Sequence, residues 1–449
     1  MPTLKEVAAA QTRPALDLVK TLVRQPSVAA TGEGVAECAE VVRGAFQQAG
    51  AAVQVHRLEA AAPLVIAEFP GAGDRTLLFY NHYDVQPPDP LDEWASPPFD
   101  PVVRDGLLYG RGASDNKGDL TTRIAAVRTL QALHGRLPCR VKFVVEGEEE
   151  IGSVHFGRYV ERHRGALVAQ ACIWEFGQRD LKERLVVTLG IKGICYLDLE
   201  LAATSRDLHS SMGAIVDGAA TQMAWALASL KDPSTGRVLV EGFYDRVRGP
   251  SPRELDATRQ VPFDEEDLKR QMGVARFIGG VTGFDAQLQL LYEPTCTVCG
   301  FESGYTGPGS KTVLPRRARA KVDFRLVPEQ DPEEITALVR RHFERQGFEV
   351  KITLLGGERA YRTNLDDPFV GLVAKTARET TGRTITVHPT SAGTGPMYDV
   401  GHTLGVPIVS IGGGYWGGRA HAPNENIRLA DFDETIYLMA RLIERFAEV

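Results

Sequence analysis

The sequence predicts an α/β fold: a discontinuous domain built on a mainly parallel sheet in an α/β/α sandwich, with an α+β domain inserted into it. Three observations predict this. Over residues 1–187 short apolar runs alternate with amphipathic helical stretches, the pattern of a largely parallel sheet covered by helices. From about Leu185 the order becomes that of a small sheet with one helical face, and from about 359 the first pattern returns. A chain of 449 residues holds two or three domains of about 150 residues each. The expected boundaries are therefore 1–187, 188–358 and 359–449.

The elements come in the order of the chain. Residues 15–23 and 35–49 carry a helical apolar period, and Gly50 stops the second helix. Residues 52–58, 64–69 and 76–80 have strand character, and a helical period resumes over 118–133. The apolar run 141–145, a polar helix over 154–163 and a further apolar run at 171–174 complete the first part. Where the texture changes, strands are expected at 185–189 and 193–201, then an Ala-rich helix over 218–230. A long polar, Pro-containing stretch without assigned elements runs to about residue 300. Residues 319–326 alternate as a half-exposed strand, 332–346 as a helix and 349–355 as a strand. The helix 367–381, the apolar runs 384–388 and 406–411, and a closing helix 431–446 restore the α/β pattern.

Composition narrows the function. Hydrophobic residues at 43% and charged residues at 24% are those of a globular chain with a full core, not a disordered one. A net charge of −7 argues against a nucleic-acid binder, which needs clustered Lys and Arg. No apolar run reaches the length of a membrane span, and residues 1–20 lack the apolar core of a signal peptide. Six Cys are too few for a disulfide framework, so a cytoplasmic setting is expected.

In an open α/β sheet, ligands bind outside the carboxyl ends of the strands. The residues just beyond each apolar run are therefore informative: His82-Tyr83-Asp84, then Glu146 to Ser153 with Glu148-Glu149-Glu150, then Glu175, and finally Gly412-Gly413-Gly414 with His421 beyond. Asp115 stands in a loop immediately before a helix. Each residue alone has an ordinary reading as a solvated or capping group; their gathering at strand ends does not. A mixed His/Asp/Glu set suits Zn²⁺ or a similar divalent ion. His82 and Asp84, two apart in an extended segment, point to one side, so Asp84 can accept from the imidazole and fix its orientation. Of the adjacent pair Glu149 and Glu150, one can bind metal while the other acts as a base on water. A bridging carboxylate with one His and one carboxylate per ion would hold two ions about 3.5–4 Å apart.

These motifs resemble the co-catalytic dinuclear zinc metallopeptidases, which include carnosinase-type cytosolic dipeptidases, glutamate carboxypeptidases, aminoacylases and succinyl-diaminopimelate desuccinylase. The resemblance runs in order along essentially the whole chain: His82-Tyr83-Asp84, Gly112 to Gly118, Glu146 to Ser153, and His421-Ala422-Pro423-Asn424-Glu425 after the triple glycine. It implies Glu149 as general base, Asp115 as bridging ligand, His82 and Glu175 completing one metal, and Glu150 and His421 the other. The ions it implies are two Zn²⁺ per chain, with Mn²⁺ or Co²⁺ as alternatives. In the insert, Asp207-Leu208-His209-Ser210, Lys311 to Pro315 and Phe324-Arg325-Leu326-Val327-Pro328 resemble the dipeptidase branch. There the insert is a lid and dimerisation domain, so the resemblance implies a homodimer in which His209 serves the partner's oxyanion. It also implies that Arg325, with the loop around Thr312, holds the substrate carboxylate.

The chain departs from that branch in two places. Thr390 to Pro396 stands where an Arg-Glu-Gly-Gly-Ser-type loop is usual, with Thr394 in place of the serine hydroxyl, and Glu175 stands where many dipeptidases carry Asp. The implied function is hydrolysis of an amide bond next to a free carboxylate in a small peptide. The alternative is an N-acyl-amino-acid deacylase of the acetylornithine deacetylase or desuccinylase kind; a catalytically silent peptide-binding protein is more distant, since Glu149, Asp115 and His421 are all present. Two other motifs carry nothing. Gly412 to Gly417 spells G-x-G-x-x-G but opens no helix, and Cys296 with Cys299 is a lone C-x-x-C.

Overall fold

A computed structural model describes residues 2–448. Its largest sheet runs, by strand, Ala52–His56, Leu64–Phe69, Arg140–Glu146, Thr76–His82, Ala171–Trp174, Ile408–Ser410, Leu185–Thr188, Gln178–Arg179 and Gly414–Tyr415, with Ile385–His388 also on Leu185–Thr188. The four central strands, from Arg140–Glu146 to Ile408–Ser410, are mutually parallel, and antiparallel pairs flank them. Thr76–His82 is buried at every position, as a central strand covered on both faces must be. Its alternate residues divide between two cores. Leu77 and Phe79 join the cluster of Leu120, Val127 and Leu442, while Leu78 and Tyr80 join that of Phe156, Tyr159 and Val400. Helices thus cover both faces, as the alternation of strand and helix requires.

The chain leaves this sheet after Thr188 and rejoins it at Ile385. Between these points lies a four-stranded antiparallel sheet in the order Thr297–Ser303, Arg317–Leu326, Gly193–Ala202, Val350–Glu358. Along Arg317–Leu326, Ala318, Ala320, Val322, Phe324 and Leu326 face a separate core under the helices Ala219–Ser229 and Pro332–Arg345. Arg325 therefore lies on the opposite face, away from that core.

Three expectations need correction. The change of texture assigns the strand 185–189 to the small sheet, but Leu185–Thr188 pairs with Ile385–His388 in the large one. The first helix spans Leu4–Arg24 rather than 15–23: Thr3 and Glu6 form a capping box, and Pro14 is carried inside it. The polar stretch to residue 300 holds the helices Pro252–Gln260, Glu265–Met272 and Gly283–Tyr292 and the edge strand Thr297–Ser303. Among the described residues no helix is long and apolar enough to cross a membrane.

Candidate active site

Three strand ends, a turn and a loop deliver the chemistry at one edge of the large sheet. Thr76–His82 ends on His82, Arg140–Glu146 runs into the turn Glu149–Ile151, and Ala171–Trp174 is followed by Glu175. Asp115 sits in the tight turn Ala113–Lys117, which leads into the helix Gly118–His134. His421 belongs to the loop after Gly414–Tyr415 and adopts a left-handed backbone, φ 62°. Gly147 lets the carboxylate-rich turn close down: a Cβ there would stand 2.4 Å from the Tyr83 hydroxyl.

Asp115 divides its carboxylate between two histidines. Oδ1 lies 3.0 Å from His82 Nε2, and Oδ2 lies 3.1 Å from His421 Nε2. His82 Nε2 also stands 3.4 Å from Glu175 Oε2, and His421 Nε2 3.1 Å from Glu150 Oε2. Two triads, His82–Asp115–Glu175 and His421–Asp115–Glu150, therefore share one carboxylate. On the far side of its ring, His82 Nδ1 is 3.1 Å from the Asp84 main-chain carbonyl and 3.3 Å from Asp84 Oδ1. Asp84 Oδ2 accepts from the Glu150 N–H at 3.0 Å. One buried carboxylate thus orients a ring in one triad and the backbone of a carboxylate in the other.

The site is short of positive charge. Asp84, Asp115, Glu149, Glu150 and Glu175 surround two imidazoles, and among the described residues no Lys or Arg ion-pairs with any of them. Burial, then the neighbouring Glu175, pushes the Glu149 carboxyl well above its usual range. Burial likewise raises Glu175 to about 8. Burial opposes charge on His82, yet the carboxylates of Glu175, Asp115 and Asp84 together outweigh it and raise the imidazole well above its ordinary value. Hydrogen bonds to Asp115 and Glu150 raise His421 to about 10. Glu175 Oε2 and Asp84 Oδ1 are buried and make no hydrogen bond, their nearest polar neighbours being the His82 nitrogens at 3.4 and 3.3 Å. The donor types, the charge deficit and these under-satisfied oxygens all fit divalent metal ions.

The remaining expected residues fall into two groups. Arg325 donates to Thr394 Oγ1, and Gly395 is so close to the base candidate that a Cβ there would lie 3.6 Å from Glu149 Oε1. Arg325 is thus joined, through Thr394, to the segment that approaches Glu149 of its own chain. His209 and Thr312 are elsewhere. The short strand Leu208–His209 pairs with Val313–Leu314, which sets Thr312 Oγ1 3.4 Å from His209 Nε2. Both are exposed, and neither touches the centre of this chain. Clefts of about 630 Å³, lined by Phe243, Glu334 and Arg345, and about 660 Å³, lined by Gln330, Arg359 and Tyr398, contain none of these residues, so donor chemistry and not cavity size locates the site.

Some supporting residues are not legible in the sequence. Buried Arg123 donates to the Tyr80 carbonyl at 2.7 Å and the Glu175 carbonyl at 2.9 Å, tying two strand ends together. Asn116 donates to the same Glu175 carbonyl at 2.8 Å, and Gln86 to Glu150 Oε2 at 2.9 Å. The available signal is charge on a buried face: Asp119 and Arg123 occupy the inward side of Gly118–His134.

Comparison with known proteins shows the family. The chain is 33% identical over 295 residues to the Beta-Ala-His dipeptidase of Rattus norvegicus, covering 63% of this chain and 58% of that protein. It is 30% identical over 323 residues to the Cys-Gly metallodipeptidase dug1 of Schizosaccharomyces pombe, covering 69% and 67%. The chain thus spans less than two thirds of the rat protein's length. In structure it resembles the M20 family metallo-carboxypeptidase Sso-CP2 of Sulfolobus solfataricus, with a TM-score of 0.92, 38% identity, and coverage of 97% of this chain and 99% of that one. The model of Peptidase family M20/M25/M40 matches residues 78–445, a span that holds both triads, Glu149 and the whole small sheet, and the chain belongs to that family.

Proposed function

We propose that the chain is a dinuclear metal-dependent dipeptidase or carboxypeptidase that cleaves an amide bond next to a free carboxylate. The observation that carries this is the pair of triads sharing Asp115, with Glu149 next to the ligand candidate Glu150 and Arg325 bonded to Thr394 on the segment that approaches Glu149. The names of the relatives, two dipeptidases and a carboxypeptidase, support the substrate class.

His82, Asp115 and Glu175 would hold one ion and His421, Asp115 and Glu150 the other. Zn²⁺ suits these donors best, with Mn²⁺ or Co²⁺ as alternatives. Such a site would supply Lewis-acid chemistry, polarising a carbonyl and acidifying water. Glu149, buried beside Glu175 and next in sequence to Glu150, would take a proton from water and deliver it to the leaving amine. Asp84 keeps the His82 ring in place throughout. The Arg325 guanidinium, steadied by Thr394, pairs with the substrate carboxylate as a planar fork.

His209, supported by Thr312, donates to the developing oxyanion of a partner subunit's site. Its exposed position away from its own centre supports this. So does the apolar surface of the small sheet: Val298 and Phe301 on the edge strand Thr297–Ser303, with Trp225 on the adjoining helix, are each about half exposed. An edge strand and an exposed apolar patch are what a two-fold interface covers. A cytoplasmic setting fits six unpaired cysteines, five of them buried.

Chelation is expected to abolish hydrolysis, and added Zn²⁺, Mn²⁺ or Co²⁺ to restore it. A screen of dipeptides, their C-terminal amides, and N-acetyl and N-succinyl amino acids should give turnover only on dipeptides with a free carboxylate. Turnover confined to the N-acyl amino acids would identify a deacylase instead.

A further inference from the structure

Glu425 takes no part in either triad, yet it carries more charge-assisted hydrogen bonds than any residue that does. Its side chain is completely buried. Oε1 accepts from the backbone N–H groups of Ser114, at 2.8 Å, and Asp115, at 2.9 Å. Oε2 accepts from the Gly112 N–H and from Arg111 Nη1, each at 2.8 Å. Its main-chain carbonyl takes the Gly110 N–H at 3.0 Å. Arg111 is itself buried and donates onward to the Pro87 carbonyl.

The consequence is geometric. Three N–H groups of one turn converge on one carboxylate, the arrangement by which backbone amides hold an anion. Such bonds are short and directional, so they fix the turn and not merely its neighbourhood. The turn in question presents Asp115, whose two oxygens must reach two histidines at once. One of those histidines, His421, lies four residues before Glu425 in the same segment. That segment is pinned independently by Asn424, which donates to the Glu93 carbonyl and accepts from the Ala95 N–H, each at 2.8 Å. A displacement of either segment would therefore move Asp115 relative to His421.

We propose that Glu425 is a positioning residue that couples the bridging Asp115 to His421 and thereby sets the affinity of the centre for its metal ions. This rests on the two-metal reading given above. Outer partners of metal ligands typically change metal affinity by about tenfold to hundredfold when removed.

The test titrates Co²⁺ alone into the metal-free full-length chain, following its visible absorption and the heat of binding, with Tm measured in parallel. Glu425→Gln keeps the shape but loses the charge and one of two acceptor oxygens. It should bind Co²⁺ about tenfold to hundredfold more weakly and with an altered spectrum. Arg111→Met removes the buried ion pair but leaves the three N–H bonds. It should lower Tm while keeping near-wild-type Co²⁺ affinity and spectrum. Glu425→Asp, with the charge on a shorter arm, should fall between wild type and Glu425→Gln, and serves should the latter not fold. Wild-type affinity and spectrum in a folded Glu425 variant would overturn the proposal. Affinity losses that merely track Tm across all three variants would also overturn it, by showing a structural role only. A wild-type chain that binds no second ion would overturn the two-metal reading itself, a result separable from either of these.

Discussion

Glu149 and Glu150 are chemically identical neighbours set apart by what surrounds them. Glu150 faces His421 Nε2, receives the Gln86 amide and has its N–H held by Asp84. Glu149 has burial and the field of Glu175 acting on it, which push its carboxyl up, and is the proposed base. Glu149→Gln should therefore cost about 10²- to 10⁴-fold in kcat while metal content, read by elemental analysis, stays at two ions per chain. Glu150→Ala should release one ion. The reverse pattern would exchange the two roles. Arg325→Lys tests the neighbouring claim: an ammonium cannot reproduce the planar fork, so kcat/KM should fall on free dipeptides and change little on their amides. Residues of this kind are legible in the sequence because they obey local rules. They stand just beyond apolar runs, and spacing alone places His82 and Asp84 on one side. Which atom of Asp84 meets the ring is not legible, since the main-chain carbonyl is the nearer acceptor.

At the scale of elements, legibility depends on whether a segment carries its own reason to fold. Strongly periodic segments such as Arg317–Leu326 and Pro332–Arg345 do. The helices of the 250–292 stretch are short and weakly periodic; Pro252–Gln260 and Glu265–Met272 rely on the caps Ser251 and Asp264, and two of the three are also tied to distant parts of the chain. Buried Lys192 donates to the Leu290 and Glu293 carbonyls at 2.7 and 2.6 Å, satisfying the end of Gly283–Tyr292 from a distant part of the chain. Glu254 of Pro252–Gln260 pairs with Arg362 at 2.7 Å. Leu185–Thr188 is hard to place for a related reason, because an apolar run does not say which sheet it joins. Its neighbour Ile385–His388 offers a pH test. Burial draws the His388 imidazole down to about 4, below the roughly 6.5 of an unfolded chain. Between those values the unfolded chain binds the additional proton, so stability present above about pH 6.5 is lost as the pH falls toward 4. The Tm of the metal-free protein should drop across that window, and His388→Leu should make the drop shallower.

At the scale of the whole molecule, one site would be assembled from two chains. His209→Ala and Glu149→Gln homodimers should each be nearly inactive. Mixed in equal amounts under conditions that exchange subunits, they should recover about a quarter of wild-type activity, because half the dimers are mixed and half the sites in those are complete. No recovery despite exchange verified by mass spectrometry would place His209 in its own chain's service. The fold class and the insertion are legible because each part repeats its pattern. The placement of His209 at an exposed tip is not, since it depends on how the small sheet stands against the large one. On the proposed trans role, His209 has a kinetic consequence. A histidine that completes only another chain's site makes the rate per chain a function of concentration. Dilution below the dissociation constant of the pair should turn the dependence of rate on total protein from linear to quadratic, and a newly made chain should remain silent until it meets a second.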